Sequence, residues 1–139
     1  MFEKLFMLPK LAKYAKGGKK WIDLLGFDVR DIKTCADRIS CTISFPEKLT
    51  GNDGIIHGGI LCFVMDSMAG IFASIIETDS SKKILTKTMS VSFVKPVVPK
   101  ATYTVIITKI FVNEILARII DEHEEEVTVG RLEMIAKEN

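Results

Sequence analysis

Asp66 lies near the middle of the most apolar part of the chain, the 22 residues from Ile55 to Ile76. A carboxylate in such a setting is costly unless something satisfies it or uses it. On a helix its neighbours one turn away are Cys62, Phe63, Ala69 and Gly70, so small groups beside it let another molecule approach. Asp66 is therefore either a catalytic carboxylate or a structural one that caps a helix or contacts a partner. His57, Gly58 and Gly59 open the same stretch. Free N–H groups and the helix dipole favour negative charge there, and glycine lets a carbonyl group come close to the backbone. Those are the requirements of an oxyanion hole for attack on a carbonyl carbon. His57 either orients the reacting group or hydrogen-bonds the loop before the helix.

Spacing limits how these groups can cooperate. Gly58 and Asp66 are eight residues apart, about 12 Å along one helix at 1.5 Å per residue. Reacting atoms must lie within roughly 3 to 3.5 Å of the groups that act on them, so one chain cannot supply both. Two helices running antiparallel about a two-fold axis would set Gly58 of one chain opposite Asp66 of the other, giving two equivalent sites per dimer.

The elements that must hold these residues follow from the hydropathy pattern. Phe27 to Lys33 and Arg38 to Phe45 alternate apolar and polar positions as strands do, and Pro46 ends the second. The loop from Pro46 to Gly54 is rich in turn formers. The apolar stretch from Ile55 to Ile76 is the helix. Glu77 to Lys83 is a polar connection, after which Thr86 to Val94, Ala101 to Phe111, Ile115 to Glu122 and Val127 to Ala136 read as four more strands. The acid cluster at Glu122 and Glu124 to Glu126 falls in the last turn, where water solvates it. A helix apolar on every side must be covered all round, so the sheet has to curl about it, with a partner or more sheet closing what remains. The expected class is α+β: a long central helix wrapped by a curved antiparallel sheet of about six strands. By length the helix could span a bilayer, but a mid-span carboxylate costs about 2.5 to 3.5 kcal/mol, so burial in protein is expected and stable membrane insertion is not.

With 139 residues, 47% hydrophobic and 27% charged, the chain makes one soluble domain. Nineteen basic and 18 acidic residues leave a net charge of +1, too little field to gather nucleic acid. The basic residues are uneven: Lys4, Lys10, Lys13, Lys16, Lys19 and Lys20 stand against Glu3 alone in residues 1–20. This basic, amphipathic N-terminal segment is expected to be helical; it packs on the domain as a helix, frays as an arm, or meets a membrane surface or an organelle import receptor. It lacks the apolar run and cleavage site of a secretory signal. Cys35, Cys41 and Cys62 have no metal-ligand spacing and are expected to be reduced core thiols, so a cytoplasmic location is expected. His57 and His123 are too few and too far apart to suggest a metal site.

The run Gly54-Ile55-Ile56-His57-Gly58-Gly59, then Asp66 nine residues after His57, then Thr86 to Pro96 (TKTMSVSFVKP), resembles the hotdog-fold acyl-CoA thioesterases of the phenylacetic acid degradation type. The resemblance covers residues 21–139, which would form the hotdog domain. It implies hydrolysis of an acyl-CoA thioester to free acid and CoA, without a cofactor or metal, by a homodimer or a dimer of dimers (homotetramer). It also implies that Gly58 supplies the oxyanion-hole N–H, that His57 orients the thioester, and that Asp66 is nucleophile or general base. Thr86 would place the water or the carboxylate, unless it is a plain β-branched strand residue. Asn52, Gly59, Phe63 and Lys95 are the candidate substrate-binding residues. Lys82, Lys83, Lys95 and Arg131 are candidates for the CoA phosphates. Phe63, Met65, Met68, Phe72 and Met89 either line the acyl pocket or are core. In one place the chain departs from the pattern: relatives commonly carry Asn six residues before the His, where this chain has Gly51, with Asn52 one place later. Either Asn52 takes over that role or the interaction is missing. The alternative function is a non-catalytic acyl-CoA or acyl-chain binding protein.

Overall fold

Side chains that alternate in polarity every second residue build a six-stranded antiparallel sheet in the computed structural model, which describes residues 24–79 and 81–138. The strands are β1 (Asp28–Thr34), β2 (Arg38–Ser44), β3 (Lys82–Phe93), β4 (Tyr103–Phe111), β5 (Glu114–Ile120) and β6 (Glu126–Glu138). The helix α1 (Gly58–Ile76) joins β2 to β3. Spatial order is β1-β2-β4-β5-β6-β3, so β1 and β3 are the edges. The basic segment at residues 1–20 lies outside the described residues.

One face of the sheet carries the core. Ile39, Cys41 and Ile43 of β2 pair with Ile107, Val105 and Tyr103 of β4, all buried, and Ile115, Ala117 and Ile119 of β5 continue the layer. Against it α1 lays Leu61, Val64, Met65, Met68, Ala69, Phe72 and Ala73. Each large aliphatic side chain fully buried here stabilises the fold by about 1.5 to 3 kcal/mol. Met65, Met68 and Phe72 are thus core and do not line an open pocket. The Cys41 thiol donates to Met68 Sδ at 3.4 Å, and burial pushes that thiol up to about 12. Burial also raises the half-buried Cys62. Cys35 departs from the core expectation: it is exposed in the β1–β2 turn.

Two boundaries differ from those the sequence suggests. The helix begins at Gly58, not Ile55, because the Ile56 N–H donates to Val97 O at 2.8 Å and Ile56 bridges Thr50. β3 begins at Lys82, four residues before Thr86. Lys82 to Leu85 pair with the end of β6, but an edge strand with exposed lysines leaves no clean alternation to read. The sheet also fails to wrap the helix completely. Gly59 and Phe63 are exposed and Cys62, Asp66, Ser67 and Gly70 only half-buried, so one stripe of α1 stays open. By length and composition α1 could cross a membrane, yet 44% of its apolar window is buried within the fold.

Candidate active site

A tightly bonded loop delivers the start of α1. After a 3-10 turn at Glu47–Leu49, Gly51 N–H donates to Ile55 O at 3.0 Å and Gly54 N–H to Gly51 O at 3.1 Å. Asp53 Oδ1 accepts from the Ile55 N–H at 3.2 Å. Closing this turn puts Gly54 at φ +74°, a conformation glycine adopts without strain. His57 then caps the helix. Its N–H donates to Leu49 O at 3.3 Å, and its carbonyl accepts from Ile60 N–H at 3.0 Å and Leu61 N–H at 3.3 Å. The amides of Gly58 and Gly59 have no partner among the described residues, as the geometry of a helix start requires. The Gly58 end of the helix opens onto a groove lined by Gly51, Asn52, Asp53, Ile55, Ile56, His57 and Gly58.

Gly51 stands where the Asn of the pattern would be, close to His57. A Cβ there would sit 3.2 Å from His57 Cε1, so the imidazole leans on the loop where a side chain would begin. Asn52 is exposed at the tip of the turn and makes no side-chain bond to His57 or Gly58.

Two turns further along the helix, Thr86 Oγ1 donates to Asp66 Oδ1 at 2.6 Å. A hydroxyl bonded to a carboxylate at this length is a charge-assisted contact, and it holds one oxygen of the half-buried Asp66. The bulge in β3 between Thr86 and Thr88 lies beside this pair. Thr86 is thereby more than a β-branched strand residue, since its hydroxyl is committed to the carboxylate. We expect Thr86→Val to lower kcat about 10-fold to 100-fold, from the roughly 1.5 to 3 kcal/mol that hydrogen bonds to charged groups contribute, and Thr86→Ser to retain most of it. Steady-state kinetics on both variants measures the difference.

Chains that share this arrangement of elements have been solved. A thioesterase mutant from Pseudomonas aeruginosa superimposes with a TM-score of 0.77 at 13% identity, over 90% of this chain and 91% of that one. The Escherichia coli PaaI protein from the phenylacetic acid degradation operon gives 0.70 at 14%, over 90% and 91%. A Streptococcus mutans protein bound to acetyl-CoA gives 0.69 at 14%, over 81% and 90%. This chain has the hotdog fold. No protein-family profile and no curated protein matches the sequence.

Within the hotdog domain the remaining candidates separate. Phe63 is 39% exposed on the open stripe, one turn before Asp66, and Gly59 lies on the same stripe with open space beside it. Lys95 forms an ion pair with Glu125, so a member of the acid turn is engaged by a lysine as well as by water. Arg131 donates to Glu114 Oε1 at 3.2 Å. Lys82 and Lys83 begin β3 while Lys95 follows its end, about 40 Å of extended chain apart, so these four cations do not gather on one phosphate group. Sequence reading gave no role to Phe93. Its ring meets Gly58, where an added Cβ would lie 2.9 Å from Phe93 Cζ. Only the register of β3 against α1 brings the two together.

Proposed function

We propose that this hotdog protein is a cytoplasmic acyl-CoA thioesterase that works as a homodimer, alone or paired into a homotetramer, with each site shared between two chains. The observation that carries the reading is the Thr86-bound carboxylate of Asp66 on the open stripe of a helix whose first amides, at Gly58 and Gly59, have no partner among the described residues. The acetyl-CoA held by the Streptococcus mutans neighbour supports the substrate class. Three free cysteines suit a reducing compartment.

The chemistry follows from those groups. The Gly58 N–H donates to the thioester carbonyl, with His57 beside the same groove. Asp66 of the other chain either takes a proton from water as its oxygen attacks the carbonyl carbon or attacks directly and is freed by water. Negative charge collects on the carbonyl oxygen at the helix N-terminus. The C–S bond then breaks, and CoA leaves as a thiolate that takes up a proton, with the free acid as the second product.

A second copy has two surfaces to meet. The open stripe of α1 carries the small residues Gly59, Cys62 and Gly70 beside Phe63 and Asp66, a surface that a second helix can meet. β3 is an edge strand of 12 residues with Leu85 and Met89 exposed, and an unpaired apolar edge invites a strand from another chain. Gly51 in place of the expected Asn is the observation that favours the alternative, a non-catalytic acyl-CoA binding protein. Loss of thioester ultraviolet absorbance, measured with short, long and aromatic acyl-CoA, decides between them. Turnover of any of the three supports the enzyme, and binding without turnover by a folded dimer supports the alternative.

A further inference from the structure

We infer that Phe93 is a specificity-determining residue of this site, walling the oxyanion end so that an unbranched carbon next to the thioester carbonyl is preferred. The inference rests on the thioester reading and names which acyl groups that site accepts. Three observations meet at this ring. First, the end of the Phe93 ring lies against Gly58, close enough that a Cβ on Gly58 would be 2.9 Å from Cζ and 3.1 Å from Cε1. The ring therefore stands beside the first residue of α1. Second, Phe93 is 54% exposed, so part of its apolar ring is open to contact by a bound group. Third, its backbone is fixed. Phe93 pairs with Thr128 of β6, and the next two N–H groups, of Val94 and Lys95, both donate to Val127 O, at 2.9 and 3.1 Å.

A carbonyl oxygen bonded to the Gly58 N–H sits about 3 Å from that nitrogen, which puts the carbonyl carbon and its first substituent within contact range of the ring. A methylene lies flat against an aromatic face, whereas a methyl branch on the same carbon meets it end-on. A close-packed wall senses one such carbon by a factor of about 10 to 200.

Butyryl-CoA and isobutyryl-CoA have the same atoms and differ only in where the branch falls. Purified full-length protein, Phe93→Ala and Phe93→Leu are compared on both, with thermal melts to establish folding. Wild type is expected to prefer butyryl-CoA by at least about 10-fold in kcat/KM. Phe93→Ala is expected to shrink that preference about 10-fold, and Phe93→Leu to fall between. An unchanged ratio in folded Phe93→Ala, with both substrates slowed equally, would overturn the inference and leave the ring as packing alone. If wild type turns over neither thioester, the hydrolase reading fails separately, and the same ratio is then read from the Kd values by calorimetry. Equal affinities for the two thioesters, or no binding of either, would overturn the Phe93 assignment as well.

Discussion

Asp66→Asn is expected to remove thioester hydrolysis, lowering kcat about 10²- to 10⁴-fold, the range that positioned proton transfer contributes. Asparagine keeps the shape of the side chain and an oxygen that can still accept from Thr86 Oγ1, the contact that spans 2.6 Å in the native protein. What it loses is the negative oxygen that attacks or that takes a proton from water. Loss of rate with an unchanged melting temperature therefore assigns the chemistry to the carboxylate, since helix and strand stay joined. The assay must follow thioester absorbance, because thiol reagents would also react with the exposed Cys35. A rate within a few-fold of wild type would make Asp66 structural. The thioesterase reading would then lack a base, because His57 leans on Gly51 at the other end of the site.

Asp66 could be singled out from the sequence because an acid in so apolar a helix is expensive, and the expense marks it whatever the tertiary structure does. The glycines at the helix start were equally visible, since unpaired amides follow from helix geometry. Partners from distant strands were not visible in that way. Thr86 was marked only by resemblance, and its bond to Asp66 depends on how β3 lies along α1. The contact between Phe93 and Gly58 depends on the same register, with the two residues 35 positions apart in the chain, and no local pattern encodes it. The first four residues of β3 escaped notice for a different reason. Edge strands answer to water on one side and to one neighbour on the other, so Lys82 and Lys83 fit a strand there as well as they fit a loop. The open stripe on α1 has a related origin: complete apolarity implies complete cover, and the sheet of one chain covers only one side.

That uncovered stripe leads to the second large effect, which concerns how many chains make a site. Gly58→Ala places a methyl beside the oxyanion amide and displaces the Phe93 ring, whose tip would otherwise stand 2.9 Å from the new carbon. A small shift of the half-exposed ring clears the new carbon, so the variant should fold. Its activity should fall about 10²- to 10³-fold, as when an oxyanion-hole donor is lost. Mixed with Asp66→Asn and allowed to exchange subunits, it should regain activity. Random pairing at equal concentrations makes half the dimers mixed, and each mixed dimer has one site whose Gly58 and Asp66 are both native, so about one quarter of wild-type activity is expected. Differently tagged subunits report the exchange independently of the rate. Complete exchange with activity no greater than the two variants alone would place Gly58 and Asp66 of one chain in the same site. That outcome would require substrate atoms to bridge roughly 12 Å of helix, which neither proton transfer nor carbonyl polarisation can do. The proposed shared site is an arrangement in which the free amides at one end of α1 and the carboxylate two turns along it act on the same carbonyl.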